Sequence, residues 1–270
     1  MSAWYPLVRN VNAFSTRFGV SARPSRPGSS PSAASSFVIS SCILLFYLST
    51  AAAQSPDALY ADRAHLASAR QAAAAWSASL SNGPANFEIA WKLARAEYWL
   101  GGHAPEVERR HFLDDGIASG RAAIALAADR PEGHFWVAAN MGALAESFGV
   151  REGLKYRGMI KDELQTVLRI DPGFQHGSAD RALGRWYAKV PRLFGGDRAL
   201  AEQHLRASLR FQPDSTASHF FLAELLLDEG RKPEARTELQ TVIDAPFDPD
   251  FTPEDQEFKA KARLLINGHG

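Results

Sequence analysis

The chain has 270 residues, 46% of them hydrophobic and 22% charged, with Lys+Arg and Asp+Glu balanced at 30 each, a composition that excludes a disordered or fibrous protein and suits a globular one with a sizeable core. No acidic residue precedes Asp57, whereas Arg9, Arg17, Arg23 and Arg26 do, so the rest of the chain carries 26 basic against 30 acidic residues and lacks the basic surplus of a nucleic-acid binder. A single cysteine, Cys42, excludes an intrachain disulfide framework and a cysteine-based metal site.

Residues 1–53 read as a signal segment. Arginines and a Ser/Pro/Ala-rich stretch lead into an apolar run from Phe37 to Leu48, which ends at Ala51-Ala52-Ala53 before Gln54. A basic region, a short apolar region and a small-residue site are the three parts of a secretory signal. The run is shorter than the ~20 apolar residues a spanning helix needs. The expectation is export to the periplasm or another extracytoplasmic space, with cleavage after Ala53. Ile39-Ser40-Ser41-Cys42 imitates a lipobox, but the apolar stretch Ile43 to Leu48 follows the cysteine instead of preceding it, so anchoring by a lipid is the lesser expectation.

From Gln54 to Gly270 the pattern is helical throughout. Ala, Leu, Arg and Glu dominate and alternating β-branched runs are absent. Turn signals fall at Asn82-Gly83-Pro84, Gly101-Gly102, Pro131, Pro172-Gly173, Gly195-Gly196, Pro213, Gly230 and Pro246. Pro131, Pro172 and Pro213 are 41 residues apart and Pro246 follows 33 later, and a fixed period of this size means stacked supersecondary units. Leu93-Ala94, Leu183-Gly184 and Leu222-Ala223 put a large and a small residue on the inner face of successive first helices, where the small one lets a partner helix approach. Glycines such as Gly101 and Gly230 suit helix C-termini. Asp214 is expected to cap the helix containing Phe220 to Leu227, and Thr252 to begin a last helix. The fold class is therefore all-α: a tetratricopeptide (TPR)-like helical-hairpin solenoid of about four hairpins, starting near Pro56, plus a C-terminal helix.

Two features point to a binding surface. Arg181, Arg185 and Lys189 fall at i, i+4 and i+8 on one helix, a basic stripe beside Trp186 and Tyr187 that suits a carboxylate or an acidic partner; a solvated helix face has the same spacing. Aromatic residues including Trp91, Tyr98, Trp99, Phe135, Trp136, Trp186, Tyr187, Phe220 and Phe221 all belong to first helices, which line the concave face of a solenoid. Core packing alone explains most of them, but Trp136, Asn140 and Trp186 form the preferred pocket, because an amide among rings gives a ligand a polar fixing point.

The stretch Ala179-Asp180-Arg181-Ala182-Leu183-Gly184-Arg185-Trp186-Tyr187, followed by Val190-Pro191, Gly195-Gly196-Asp197 and Ala201-Glu202-Gln203-His204-Leu205, resembles the TatT family of TPR-like periplasmic proteins associated with TRAP transporters. Its Leu-Gly-Arg-Trp-Tyr core is also similar to the regulator-of-microtubule-dynamics TPR proteins. The resemblance spans about Asp171 to Asp214. It implies a helper protein whose partner is a periplasmic substrate-binding component and whose groove takes a small apolar or anionic organic ligand. Homo-oligomerisation stays open.

Chemistry is otherwise scarce. Gly-x-Ser-x-Gly, His-Glu-x-x-His, a phosphate-binding glycine loop and Cys-x-x-Cys are all missing from the chain, which is expected to be no enzyme and to need no cofactor. His103, His111, His134, His176, His204 and His219 are too scattered for metal-ligand spacing. The acidic residues from Asp244 to Glu257 lack a calcium-loop pattern and are broken by Pro246, Pro249 and Pro253, so turns and caps are their expected roles, with no metal.

Overall fold

A computed structural model describes residues 54–268; the expected signal segment, 1–53, lies outside the described residues. Among them are eleven α-helices and no strand: α1 Pro56–Ala61, α2 Leu66–Asn82, α3 Phe87–His103, α4 Glu106–Leu126, α5 Pro131–Ser147, α6 Val150–Ile170, α7 Phe174–Lys189, α8 Arg198–Ser208, α9 Thr216–Asp228, α10 Lys232–Asp244 and α11 Thr252–Gly268. Four hairpins, α3/α4, α5/α6, α7/α8 and α9/α10, follow the predicted period, and α11 closes the series. A short fifth unit, α1/α2, stands outside that period and packs on α3 through a second, smaller core that includes Tyr60, Ala72 and Trp76 with Trp99 and Leu100 of α3. None of these helices is long and apolar enough to cross a membrane.

Local chemistry sets the helix starts. The Asn86 side chain accepts from the Ile89 N–H at 3.1 Å, and Asp197 accepts from the Ala199 and Leu200 N–H groups at 2.8 and 3.0 Å. Each satisfies donors that a first helical turn leaves open. Pro131 stands in the first turn of α5, where its missing N–H costs nothing. The cap of α9 is Ser215, whose hydroxyl accepts from the Ser218 N–H, and not Asp214. Thr252 does begin α11, although its hydroxyl donates back to the Asp248 carbonyl at 2.9 Å.

The small residues act as expected at two places and differently at a third. A Cβ on Gly184 would lie 2.6 Å from Leu205, so glycine is what lets α7 and α8 meet. Gly230 takes φ +77° and ends α9 with the Arg231 N–H donating to the Leu226 carbonyl at 2.8 Å. Gly101 is not a cap: α3 runs on to His103, and the missing Cβ makes room for Leu113 of α4.

Candidate functional site

The odd-numbered helices α1, α3, α5, α7, α9 and α11, with the 248–251 loop, line one cavity of about 510 Å³, within the ~300–1,000 Å³ of small-molecule sites. Its apolar wall is built from Tyr60, Tyr98, Trp99, Phe135, Trp136, Phe221 and Phe258. The Tyr98 and Trp136 rings lie 5.6 Å apart and Phe221 meets Phe258 edge-on at 5.5 Å, the tilted and edge-to-face contacts that aromatic quadrupoles favour.

Set into this wall are arginines. Arg63 donates from Nε to Glu254 Oε1 at 2.9 Å and from Nη2 to the Asp250 carbonyl at 2.7 Å, while its own carbonyl accepts from Trp99 Nε1 at 2.8 Å. His103, in α3, bonds Glu257 of α11 at 2.7 Å. The Arg63 contacts with Glu254 and Asp250 and the His103–Glu257 bond tie the N-terminal helices to the C-terminal end, the first of them between cavity-lining residues. Arg185 is 2% exposed, forms an ion pair with Glu224, lies 3.6 Å from Glu146 and stacks over Phe221 at 4.5 Å. Arg95 is half-buried between the Tyr60 and Trp91 rings, at 4.1 and 5.0 Å from their centroids.

Of the six residues singled out from sequence, Trp136, Arg181 and Arg185 line this cavity, and Asn140, Trp186 and Tyr187 do not. Asn140 is fully buried: its Nδ2 donates to the Ala94 carbonyl at 3.1 Å and the Trp136 carbonyl at 2.8 Å, tying α5 to α3. Trp186 donates to the Arg157 carbonyl of α6 at 2.9 Å, and Tyr187 stacks on His204 of α8 at 5.4 Å, so the two rings hold α7 between its neighbours. The arginine stripe is not a solvated face either, because Arg185 points inward and only Lys189 of the three is exposed. Arg95 is legible in the sequence, since it shares a helical face with Trp91 and Tyr98 at i−4 and i+3. The Arg63–Glu254 contact spans 191 residues and no local spacing announces it.

At the mouth of the cavity α7 opens with Gln175, His176 and Gly177 all at positive φ, 43°, 58° and 74°, before regular helix resumes. Such backbone costs a non-glycine residue ~1–2 kcal/mol, and strain of this kind gathers at ligand sites. It brings His176 and Gln175 to the cavity wall, with His176 3.5 Å from Asp248. The acidic run serves structure: Asp255 accepts from Thr216 Oγ1 and from the Asp248 N–H, and Asp248 accepts from Gln212 and the Asp250 N–H. Among the described residues no group of three or more His, Cys, Asp or Glu is placed to hold a metal ion.

The fold and its inner helical face define the class: a TPR-like helical-repeat protein, an architecture that interacts with other molecules through its concave surface. Residues 56–208, more than half the chain, match the family described as regulator of microtubule dynamics protein 1-3, and the chain belongs to that family. No curated protein matches it directly. Among solved structures it is similar to TTC0263, a thermophilic TPR protein of Thermus thermophilus, with 21% identity and a TM-score of 0.59 over 78% of this chain and 97% of that one. MamA is a more distant match, at 16% identity and a TM-score of 0.44 over 74% of this chain and 96% of that one.

Proposed function

We propose that this is a non-enzymatic binding protein that holds a small organic molecule in the cavity of its inner helices. The observation that carries this reading is the closure of the repeat series by Arg63, Glu254 and Asp250 over an aromatic wall, with Arg63 and Glu254 both buried. A groove for an extended peptide has to stay open at both ends. A cavity bridged across its rim instead favours an occupant that fits inside it. The expected signal at residues 1–53 puts this binding outside the cytoplasm, and the TatT-like block supplies a TRAP transporter's substrate-binding component as the protein served.

A second reading, a TPR adaptor for a protein segment in the cell envelope, rests on the fold itself. Native mass spectrometry of the full chain, purified without detergent from its host, separates the two. A mature species beginning at Gln54 and carrying one organic molecule is the expected result. A bare species that captures a protein from envelope extract supports the adaptor instead, and a chain still carrying residues 1–53 contradicts cleavage after Ala53.

A further inference from the structure

Apolar residues exposed singly are ordinary, but a fixed group of them rimmed by one sign of charge marks an interaction surface. Such a group stands in the connection between α7 and α8. Leu193 is 87% exposed and Phe194 39%, yet the turn that carries them is firmly held. The Phe194 and Gly196 N–H groups donate to the Pro191 carbonyl at 2.8 and 3.2 Å, and the Asp197 N–H donates to the Tyr187 carbonyl at 3.1 Å. Gly195 takes φ +104°, and a Cβ on Gly196 would fall 1.7 Å from the Val190 carbonyl oxygen, so glycine is what closes the turn this tightly. The turn leans on α6, with the Phe194 ring 5.6 Å from the Arg157 guanidinium. On α6 itself Val150 and Leu154, at i and i+4, are exposed as well.

The charge around these side chains is mostly of one sign. From Arg151 to Lys161 α6 carries Arg151, Lys155, Arg157 and Lys161 against Glu152 alone, with Asp162 following at the far end, and from Lys189 to Arg198 the turn carries Lys189, Arg192 and Arg198 against Asp197 alone. Glu152 and Asp197 are both engaged, the first with Arg110 and Lys155 and the second as the cap of α8. This basic excess stands on a body that is mildly acidic from Asp57 onward. None of these residues lines the cavity, so the surface does not depend on the cavity having an occupant. We infer that the α7–α8 turn and the adjoining face of α6 form a docking surface for an anionic lipid bilayer, with Leu193 and Phe194 entering the boundary between headgroups and acyl chains and the cations meeting lipid phosphates. A bilayer suits this surface better than an acidic protein does. The apolar pair projects outward, and lysine, supplied here by Lys155, Lys161 and Lys189, is depleted where proteins meet.

The test uses the full chain as its host makes it, with vesicles of phosphatidylcholine alone and of equal parts phosphatidylcholine and phosphatidylglycerol, and reads the bound fraction by flotation. The expected result is binding to the mixed vesicles roughly tenfold or more tighter than to the neutral ones, weakened by added salt. Leu193→Ser, and Arg192→Glu together with Arg198→Glu, should each lower it roughly fivefold or more. Leu193→Phe, and Arg236→Glu on the exposed face of α10, should leave it unchanged. Leu193 is too exposed for its serine variant to disturb the core, and matching thermal melts show that the charge variant is folded. Equal binding to both vesicles overturns the inference, as does binding that persists in Leu193→Ser and in the charge variant, which would place the contact elsewhere in the chain. No binding to either vesicle also overturns it, and loss by the charge variant of an acidic protein captured from host extract would then assign the surface to a protein.

Discussion

Glu97 is a residue whose cost is set by its surroundings. It lies on α3, 7% exposed, and burial pushes its pKa up to about 8, with Asp115 adding to the rise and a bond to Ser119 opposing it. Because the folded value lies above the ordinary carboxylate value, the folded state holds a proton that the unfolded chain has lost between about pH 4.5 and 8. Stability from this group therefore falls as pH rises through that window. Glu97→Gln is expected to remove the fall and to raise stability near pH 8 by roughly 1–3 kcal/mol, read from urea unfolding at several pH values. His219 has the same sense. Burial opposes its charge, but its bonds to Glu238 and the Pro213 carbonyl outweigh that and raise its pKa, so its contribution is complete at low pH and is lost as pH climbs through the folded value. In His219→Gln the loss of stability should accordingly be larger at pH 5.5 than at pH 8.5. A variant equally destabilised at both would deny that the charged imidazole matters.

The helices are joined by positions that sequence spacing reveals only in part. The period of prolines and the large-small pairs on first helices follow from hairpin geometry, and they locate α3 to α10 because each hairpin repeats the same close approach. The short unit α1/α2 has no proline in step with that period, so the spacing does not reveal it. Asn140, Trp186 and Tyr187 carry the residue types of a pocket, but on α5 and α7 they face neighbouring helices, and a helix buried on several sides gives no periodic sign of which face meets a cavity. Close contacts make these helices sensitive to added volume. A Cβ on Gly116 of α4 would fall 2.2 Å from Asn140 Oδ1, and one on Gly177 of α7 would lie 3.1 Å from Ser208 Cα at a φ of +74°. Gly116→Ala and Gly177→Ala should each lower stability by ~1–3 kcal/mol. Gly158→Ala, with open space around the new methyl, should stabilise α6 by ~0.5–1 kcal/mol through helix propensity. Thermal melts of the three variants check the order.

For the whole molecule, the decisive feature is a contact between its ends. Arg63 just after α1 and Glu254 in α11 are 4% and 8% exposed, and loss of Arg63 takes from the buried Glu254 carboxylate the guanidinium that bonds it. Arg63→Met is expected to destabilise the protein by ~3–5 kcal/mol, whereas the double change Arg63→Met with Glu254→Leu should recover most of that, since an apolar pair of similar volume replaces a buried ion pair at little cost. Urea unfolding of the single and double variants measures both. Local patterns announce a helical solenoid and an aromatic inner face, but not that its two ends meet, because that depends on how small rotations between hairpins accumulate along the series. Whether the space so enclosed is a binding site is the central question, and a crystal structure of the full chain purified from its host tests it most directly. Density for a small organic molecule inside the ring of Trp136, Arg95 and Phe221, with Arg63 bonded to Glu254, is the predicted result; an empty cavity with Arg63 and Glu254 apart and a peptide segment lying along the inner helices would contradict it.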